Sequence, residues 1–227
     1  RRVLSINPDQ LHALNSLGNV LAETGQFESA IDAYNAAILI DSEFSAALYN
    51  RGLALHKMGL LEAAKSSFES VLAIQPEHSN AWNDLGSIFF DQNNDVSAAK
   101  AYKESIVHDP SNANALFNLS LVRLRQEKLR EGFELFEWRW NAPCFAEKEL
   151  VTGKPRWIKS MSTARVFLWS EQGIGDELML ASMIPDLFQK VSALIVECDQ
   201  RLIQLFERSL PKGIRFVPRG GKVKEEE

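Results

Sequence analysis

Laid against itself at a shift of 34 residues, the first half of the chain returns to the same residue classes four times. Gly18, Gly52, Gly86 and Ser120 fall in one column, Ala30, Ala64, Ala98 and Gly132 in a second, and Tyr34, Phe68, Tyr102 and Phe136 in a third. Turn formers recur in phase at Pro8, Ser42, Pro76 and Pro110, preceded by Asn7, Asp41, Gln75 and Asp109. A period of this length holds one helical hairpin, and a lone hairpin cannot bury its own apolar face, so the units must stack into an array. The reading is a helical region over 9–142 of four units, at about 11–44, 45–78, 79–112 and 113–142. Residues 1–8 then read as the end of a preceding unit's second helix, which carries the expectation of further chain upstream.

Composition narrows the function classes. The net charge is -5, and neither a Lys/Arg block nor an apolar run of membrane-spanning length occurs, which argues against nucleic acid and against a membrane span. Cys144 and Cys198 stand far apart without a neighbouring cysteine or histidine at metal-binding spacing, so no metal site is expected. Two reduced structural thiols fit a cytoplasmic setting. All four histidines (His12, His56, His78, His108) lie in the repeat half, away from either thiol in sequence.

After a junction at 143–163 the period changes. "ARVFLWS", "SALIVECD" and "IRFVP" read as strands, with helical patterns in "GDELMLASMIPDLFQK" and "QRLIQLFERSL" between them, giving β-α-β-α-β over 164–219 and a disordered tail over 220–227. Right-handed crossovers place both helices on one face of such a parallel sheet. The other face then needs a cover, expected from the tryptophan-rich junction (Trp138, Trp140, Trp157) or from the last repeat helices. An open third-strand edge would pair with a second copy unless covered. The fold class is therefore mainly α, an array of helical hairpins followed by a small, incomplete, Rossmann-like α/β lobe.

In phase, directly before the glycine column, stand Ser16, Asn50, Asp84 and Asn118, one per unit on one helix face; one residue earlier come Asn15, Tyr49, Asn83 and Phe117. Asparagine carries a donor and an acceptor, so such a ladder suits the backbone of an extended peptide. A solvated, non-binding face is the other reading, and under either the alanine variants at Asn50 and Asn118 would leave stability nearly unchanged. The repeat pattern, clearest in "AWNDLGSIFFDQNNDVSAAKAYKESIVHDP", resembles the tetratricopeptide repeat, which implies a right-handed superhelix with the first helices lining a groove for a protein or peptide. The polar ladder resembles that of O-linked N-acetylglucosamine transferase, from which Ser16 and Asp84 depart.

The turn "SEQGIGDELMLASMIPDL" joins the first strand to a helix, and Gly173 and Gly175 would let backbone approach a ligand at the strand's carboxyl end. Leu178 stands where a dinucleotide fingerprint needs a third glycine, so a nicotinamide cofactor is not expected. With "EWRW", "PRW" and "LIVECDQRLIQLFERS", the segment resembles bacterial repeat proteins that continue into a heptosyltransferase-like transferase of the GT-B type (glycosyltransferase family 9-like). The resemblance implies that Asp176 is the general base on an acceptor hydroxyl, with a nucleotide-sugar donor bound in an intact parent; a helix-capping role is the alternative. Glu171, Glu177, Glu197 and Asp199 are lesser acidic candidates in the same crevice. No second lobe is present, so the chain alone is expected to act as a protein-binding scaffold without a cofactor, its alternative being the acceptor-binding fragment of a transferase.

Overall fold

A computed structural model describes residues 8–143, 145, 154–158, 160–161, 163–170 and 173–220. The segment 1–7, Cys144, Glu171, most of the junction and 221–227 lie outside the described residues. The chain divides into two compact units, 1–146 and 147–227.

The first unit is a run of antiparallel helical hairpins: α1 (Pro8–Glu23) with α2 (Phe27–Ile40), α3 (Ser45–Lys57) with α4 (Leu61–Ile74), α5 (Ser79–Asp91) with α6 (Asp95–His108), and α7 (Ala113–Arg125) with α8 (Leu129–Phe136), followed by a 3-10 turn at Glu137–Asn141. The column residues explain why each hairpin closes. A Cβ placed on Gly18, Gly52 or Gly86 would stand 2.3, 2.6 and 2.6 Å from the rings of Tyr34, Phe68 and Tyr102. Each aromatic of a second helix thus lies against bare backbone of the first, and all three rings are buried. Ala30, Ala64 and Ala98 are fully buried at the matching point of the second helices. The ring chemistry follows its neighbour. The Tyr34 hydroxyl donates to Asn19 and that of Tyr102 to Ser87, whereas Phe68, with no hydroxyl, packs in a cluster that includes Leu53 at the equivalent position.

The turn inside each hairpin also repeats. Gly25, Gly59, Asn93 and Glu127 have φ between 58° and 77°, again 34 residues apart. Glycine takes this left-handed conformation without steric cost, asparagine tolerates it, and glutamate is strained there. Between hairpins, Asp41 and Asp109 accept backbone N–H bonds two residues on, and Asn112 caps α7 while bonding Ser79, Asn80 and Ser105 across the hairpin boundary.

The fourth unit departs from the pattern. Its glycine column holds Ser120, and α8 gives way to a 3-10 turn after 8 residues where the other second helices run for 14. A serine side chain occupies the space that the ring fills in the other units, and here Phe136 packs instead on Phe117 and under the Arg139 guanidinium. Trp138 and Trp140 belong to this end of the first unit. Arg139, buried, stacks on Trp140, which meets Phe145 edge-on. Trp157 falls in the second unit and donates to the Met161 carbonyl.

The second unit is a parallel sheet in the order β1-β2-β3, with β1 (Arg165–Leu168), β2 (Ala193–Cys198) and β3 (Arg215–Pro218). Val166 pairs Leu194, and Val196 pairs Leu168 and Phe216. On β2 the alternation is clean: Leu194, Val196 and Cys198 are buried and pack with residues of both crossovers, among them Ile184, Leu202 and Phe206. Both helical crossovers therefore cover the same sheet face. The first crossover differs from the continuous helix read in the sequence. It is α9 (Ile174–Leu180), a 3-10 turn at 181–183 and α10 (Ile184–Phe188). Pro185 is the cause, because it has no N–H to give to the carbonyl four residues back and its ring crowds that carbonyl. The second crossover, α11 (Gln200–Ser209), is capped by Asp199.

Two stability outcomes follow. Gly52→Ala should cost about 1–3 kcal/mol through overpacking against Phe68, read from urea midpoints. Glu127→Gly should raise stability by about 1 kcal/mol by relieving the left-handed glutamate, and an unchanged midpoint would mean that the turn stores no strain.

Candidate functional site

The ladder residues all lie on the first helices, and the structure connects them from unit to unit. The Asn50 side-chain amide donates to Asn15 (2.9 Å) and Asn19 (3.0 Å) of the preceding unit. That of Asn118 donates to Asn83 (3.0 Å), and Asn83 in turn donates to Asp84 (3.0 Å). The Tyr49 hydroxyl reaches Asp84 of the following unit at 2.6 Å. Three of these bonds span 35 residues, the offset between one ladder column and its neighbour in the next unit. Ser16 is exposed on α1, while Asn50, Asp84 and Asn118 are partly exposed and Asn83 is buried. Asn50, Asp84 and Asn118, together with Asn15, Tyr49 and Asn83, tie successive first helices together, whereas Ser16 takes no part in these bonds. The neutral outcome expected for alanine at Asn50 and Asn118 gives way to a cost for each, since a lost hydrogen bond of this kind is worth about 0.5–1.5 kcal/mol.

The aromatic members of the neighbouring column are packed. Tyr49 meets Phe68 and His78 at ring separations of 5.7 and 5.0 Å, and Phe117 meets Phe136 and Phe145 at 5.6 Å each. Burial pushes the Tyr49 hydroxyl far above the ordinary tyrosine range, with the Asp84 charge adding to it. Asp84 is also raised, chiefly by desolvation, against the opposing pull of hydrogen bonds from Tyr49 and Asn83 and the nearby His56 and His78. Further ties between units were not read from the sequence: His56 to Asp91 at 2.8 Å, and Arg125 to Asp95 with its guanidinium 3.9 Å above the Phe90 ring. Their 34-residue context was visible, but nothing marked those side chains as paired. A recess of about 470 Å3 opens elsewhere, between α6, α7 and α8, lined by Ile106, Val107, Leu116, Leu119 and Leu135.

In the second unit, polar groups converge at the carboxyl ends of the strands. Glu177, whose side chain is 8% exposed, accepts from the Asp199 backbone at 2.7 Å and pairs with Arg219. Arg219 also donates to the Ser170 hydroxyl, and Glu197 accepts from the backbones of Ser170 and Gly220. Glu177 and Glu197 therefore act as internal struts and not as solvated charges. Ser170 and Arg219 complete the arrangement without having been picked out beforehand, because it is the sheet that brings residues 170, 197 and 219 together. Asp199 is held well below the usual carboxylate range by hydrogen bonds from Arg201. Burial, then the surrounding carboxylates, push the Cys198 thiol up to about 11, which fits an unreactive core position.

Gly173 is the residue before α9, and neither it nor Gly175 has a left-handed backbone or any atom within 4 Å of the place of a Cβ. Asp176 lies in the first turn of α9, partly exposed, and among the described residues no hydrogen bond reaches its carboxylate. Its backbone N–H bonds the Gly173 carbonyl. Among the described residues there is no group of acidic, histidine or cysteine side chains able to hold a metal ion. No helix among them is long and apolar enough to cross a membrane.

Comparison with known proteins gives the class of the first unit. Residues 18–59 match the family model described as TPR repeat, and residues 49–113 the one described as tetratricopeptide repeat. Over residues 18–113 the helical hairpins are tetratricopeptide repeats. Among solved structures, the Sgt2 TPR domain from Aspergillus fumigatus is similar at a TM-score of 0.52 and 26% identity, over 59% of this chain and 89% of that one. The first TPR of Spaghetti bound to the HSP90 peptide SRMEEVD is similar at 0.52 and 20%, over 55% and 98%. MamA from Desulfovibrio magneticus RS-1 is similar at 0.52 and 20%, over 57% and 73%. A curated relative, protein FlbA of Caulobacter vibrioides, is 28% identical over 220 residues, a match that covers 93% of this chain and so runs through both units. The chain spans 31% of that relative's length.

The raised Asp84 sets a pH dependence. Because the folded protein holds this proton more tightly than the unfolded chain, whose value is near 3.8, the group contributes stability below that value that is lost as pH rises through the folded-state value. The always neutral Asp84→Asn is therefore expected to gain in Tm relative to the parent as pH is raised from about 4. A difference that stays constant with pH would show that this carboxylate carries no burial cost.

Proposed function

We propose that the repeat array is a scaffold that binds an extended segment of a protein partner on the surface formed by α1, α3, α5 and α7. One observation carries this reading: Asn50, Asp84 and Asn118 of the polar column are preorganised by bonds from one unit to the next, so a bound strand would not have to order them. Peptide recognition by the first TPR of Spaghetti, solved with an HSP90 peptide, gives the same fold a precedent.

A second reading concerns the α/β unit, and it too has an observation behind it. Gly173 and Gly175, with space around them among the described residues, and the Asp176 carboxylate, free of hydrogen bonds among those residues, fit a group that awaits a substrate better than they fit a helix cap. On this reading the unit is the acceptor-side part of a nucleotide-sugar-dependent, heptosyltransferase-like transferase of the GT-B type. Asp176 takes the acceptor hydroxyl proton as the sugar carbon–oxygen bond forms and the nucleoside diphosphate leaves with the old bond's electron pair. The donor would be held by parts of a longer polypeptide, and the present chain supplies the repeats and this turn.

The experiment for the scaffold reading is selection of a random peptide library on the 227-residue chain, followed by affinity measurement. Ala46→Arg, an exposed change on α3 one turn before Asn50, is expected to weaken selected peptides at least ~10-fold. Val107→Arg, on the exposed side of α6, is expected to leave them unchanged. Equal effects of the two variants, or no saturable binder, would overturn the reading.

A further inference from the structure

The hydrogen bonds along the ladder have a direction. Asn50 gives both of its amide hydrogens to the preceding unit, to Asn15 and Asn19, which leaves its carbonyl oxygen as the uncommitted group. Asn118 donates to Asn83, Asn83 to Asp84, and Tyr49 to Asp84 from the other side. Asn118 and Asn83 each commit one of two amide hydrogens in this way, and the chain of bonds ends on a carboxylate. Each Asp84 oxygen accepts one bond, Oδ1 from Asn83 and Oδ2 from Tyr49, so each keeps a lone pair in hand.

Charge points the same way. Among the described residues no lysine or arginine pairs with Asp84, which is the one charged member of a column otherwise made of Ser16, Asn50 and Asn118. Of the two histidines near Asp84, His56 pairs with Asp91, and His78 caps α5 through Nδ1 and packs on the Tyr49 ring. Asp91, seven residues on from Asp84 along α5, keeps half of its side chain exposed on the same helix face. A partly buried carboxylate without a cation is costly to keep ionised, and a cation brought to it by a partner removes that cost.

From the Asp84 carboxylate, which has lone pairs to spare and no lysine or arginine paired with it among the described residues, we infer that the partner segment is cationic, and that a lysine or arginine side chain of it pairs with Asp84 on the third repeat. The surrounding amide oxygens of Asn50 and Asn118 accept from the partner's backbone N–H groups. An acidic segment meets no free cation on this column and would add a second negative charge beside Asp84.

This inference rests on the scaffold reading, and its test keeps the two apart. Peptides selected from a random library on the full chain are sequenced, and the tightest is resynthesised with each Lys or Arg replaced in turn by uncharged norleucine. Enrichment of Lys or Arg is expected, with one replacement lowering affinity at least ~10-fold for the parent chain and having little further effect on Asp84→Asn. The parent-chain arm does not depend on how the variant folds, and the Asp84→Asn arm is read on a variant whose circular dichroism and melting are those of a folded chain. Saturable peptides with no cationic preference, or norleucine effects of equal size on both chains, would overturn the cation pairing and leave the scaffold reading intact. A library that yields no saturable peptide would remove both.

Discussion

Contact between an aromatic ring and naked backbone is what makes the first unit possible. In each of three hairpins the ring of a second helix lies where a side chain of the first would have to be, and only glycine leaves that space. Helices packed this closely bring small residues such as Ala30, Ala64 and Ala98 fully inside, and the axial separation they set fixes the offset between neighbouring first helices. The bonds at 35-residue spacing depend on that offset: Tyr49 reaches Asp84, and Asn118 reaches Asn83, because equivalent helices repeat at the same distance. The polar surface is thus a consequence of the apolar one.

Much of this was legible in the sequence because repetition states each constraint several times over. The Gly18, Gly52 and Gly86 column, the aromatics facing it and the boundaries near Ser42, Pro76 and Pro110 all reappear as packing and turns. The left-handed positions at 25, 59, 93 and 127 were written in the same phase but are carried by three residue types, which hides them from a search for identity. What periodicity could not show was the use of the ladder. Spacing says that Asn50 and Asp84 share a face; it does not say that Asn50 spends its hydrogens on Asn15 and Asn19, since that depends on side-chain geometry across a helix boundary. In the α/β unit the strands were legible from their apolar runs. The strut made by Glu177, Arg219 and Ser170 was not, because parallel pairing brings together residues 42 and 49 positions apart that share no local pattern.

The two units solve the burial of polar groups differently. The repeats hold their partly buried asparagines and tyrosines in directed chains of neutral bonds, with one carboxylate at the end. The α/β unit closes the ends of its strands with full charges, Glu177 against Arg219, and shields Cys198 beneath them. A neutral chain can turn its spare acceptors toward a ligand at little cost, whereas a paired charge is already committed.

The missing glycine at position 120 has a consequence for how the array comes apart. Coupling between hairpins is a nearest-neighbour quantity, so the array melts from wherever its weakest unit lies. The fourth hairpin has a serine in place of the seat for its ring, a shortened second helix and a strained turn at Glu127. Opening therefore begins at α8 and travels back toward α1, making the array a zipper with one built-in starting end.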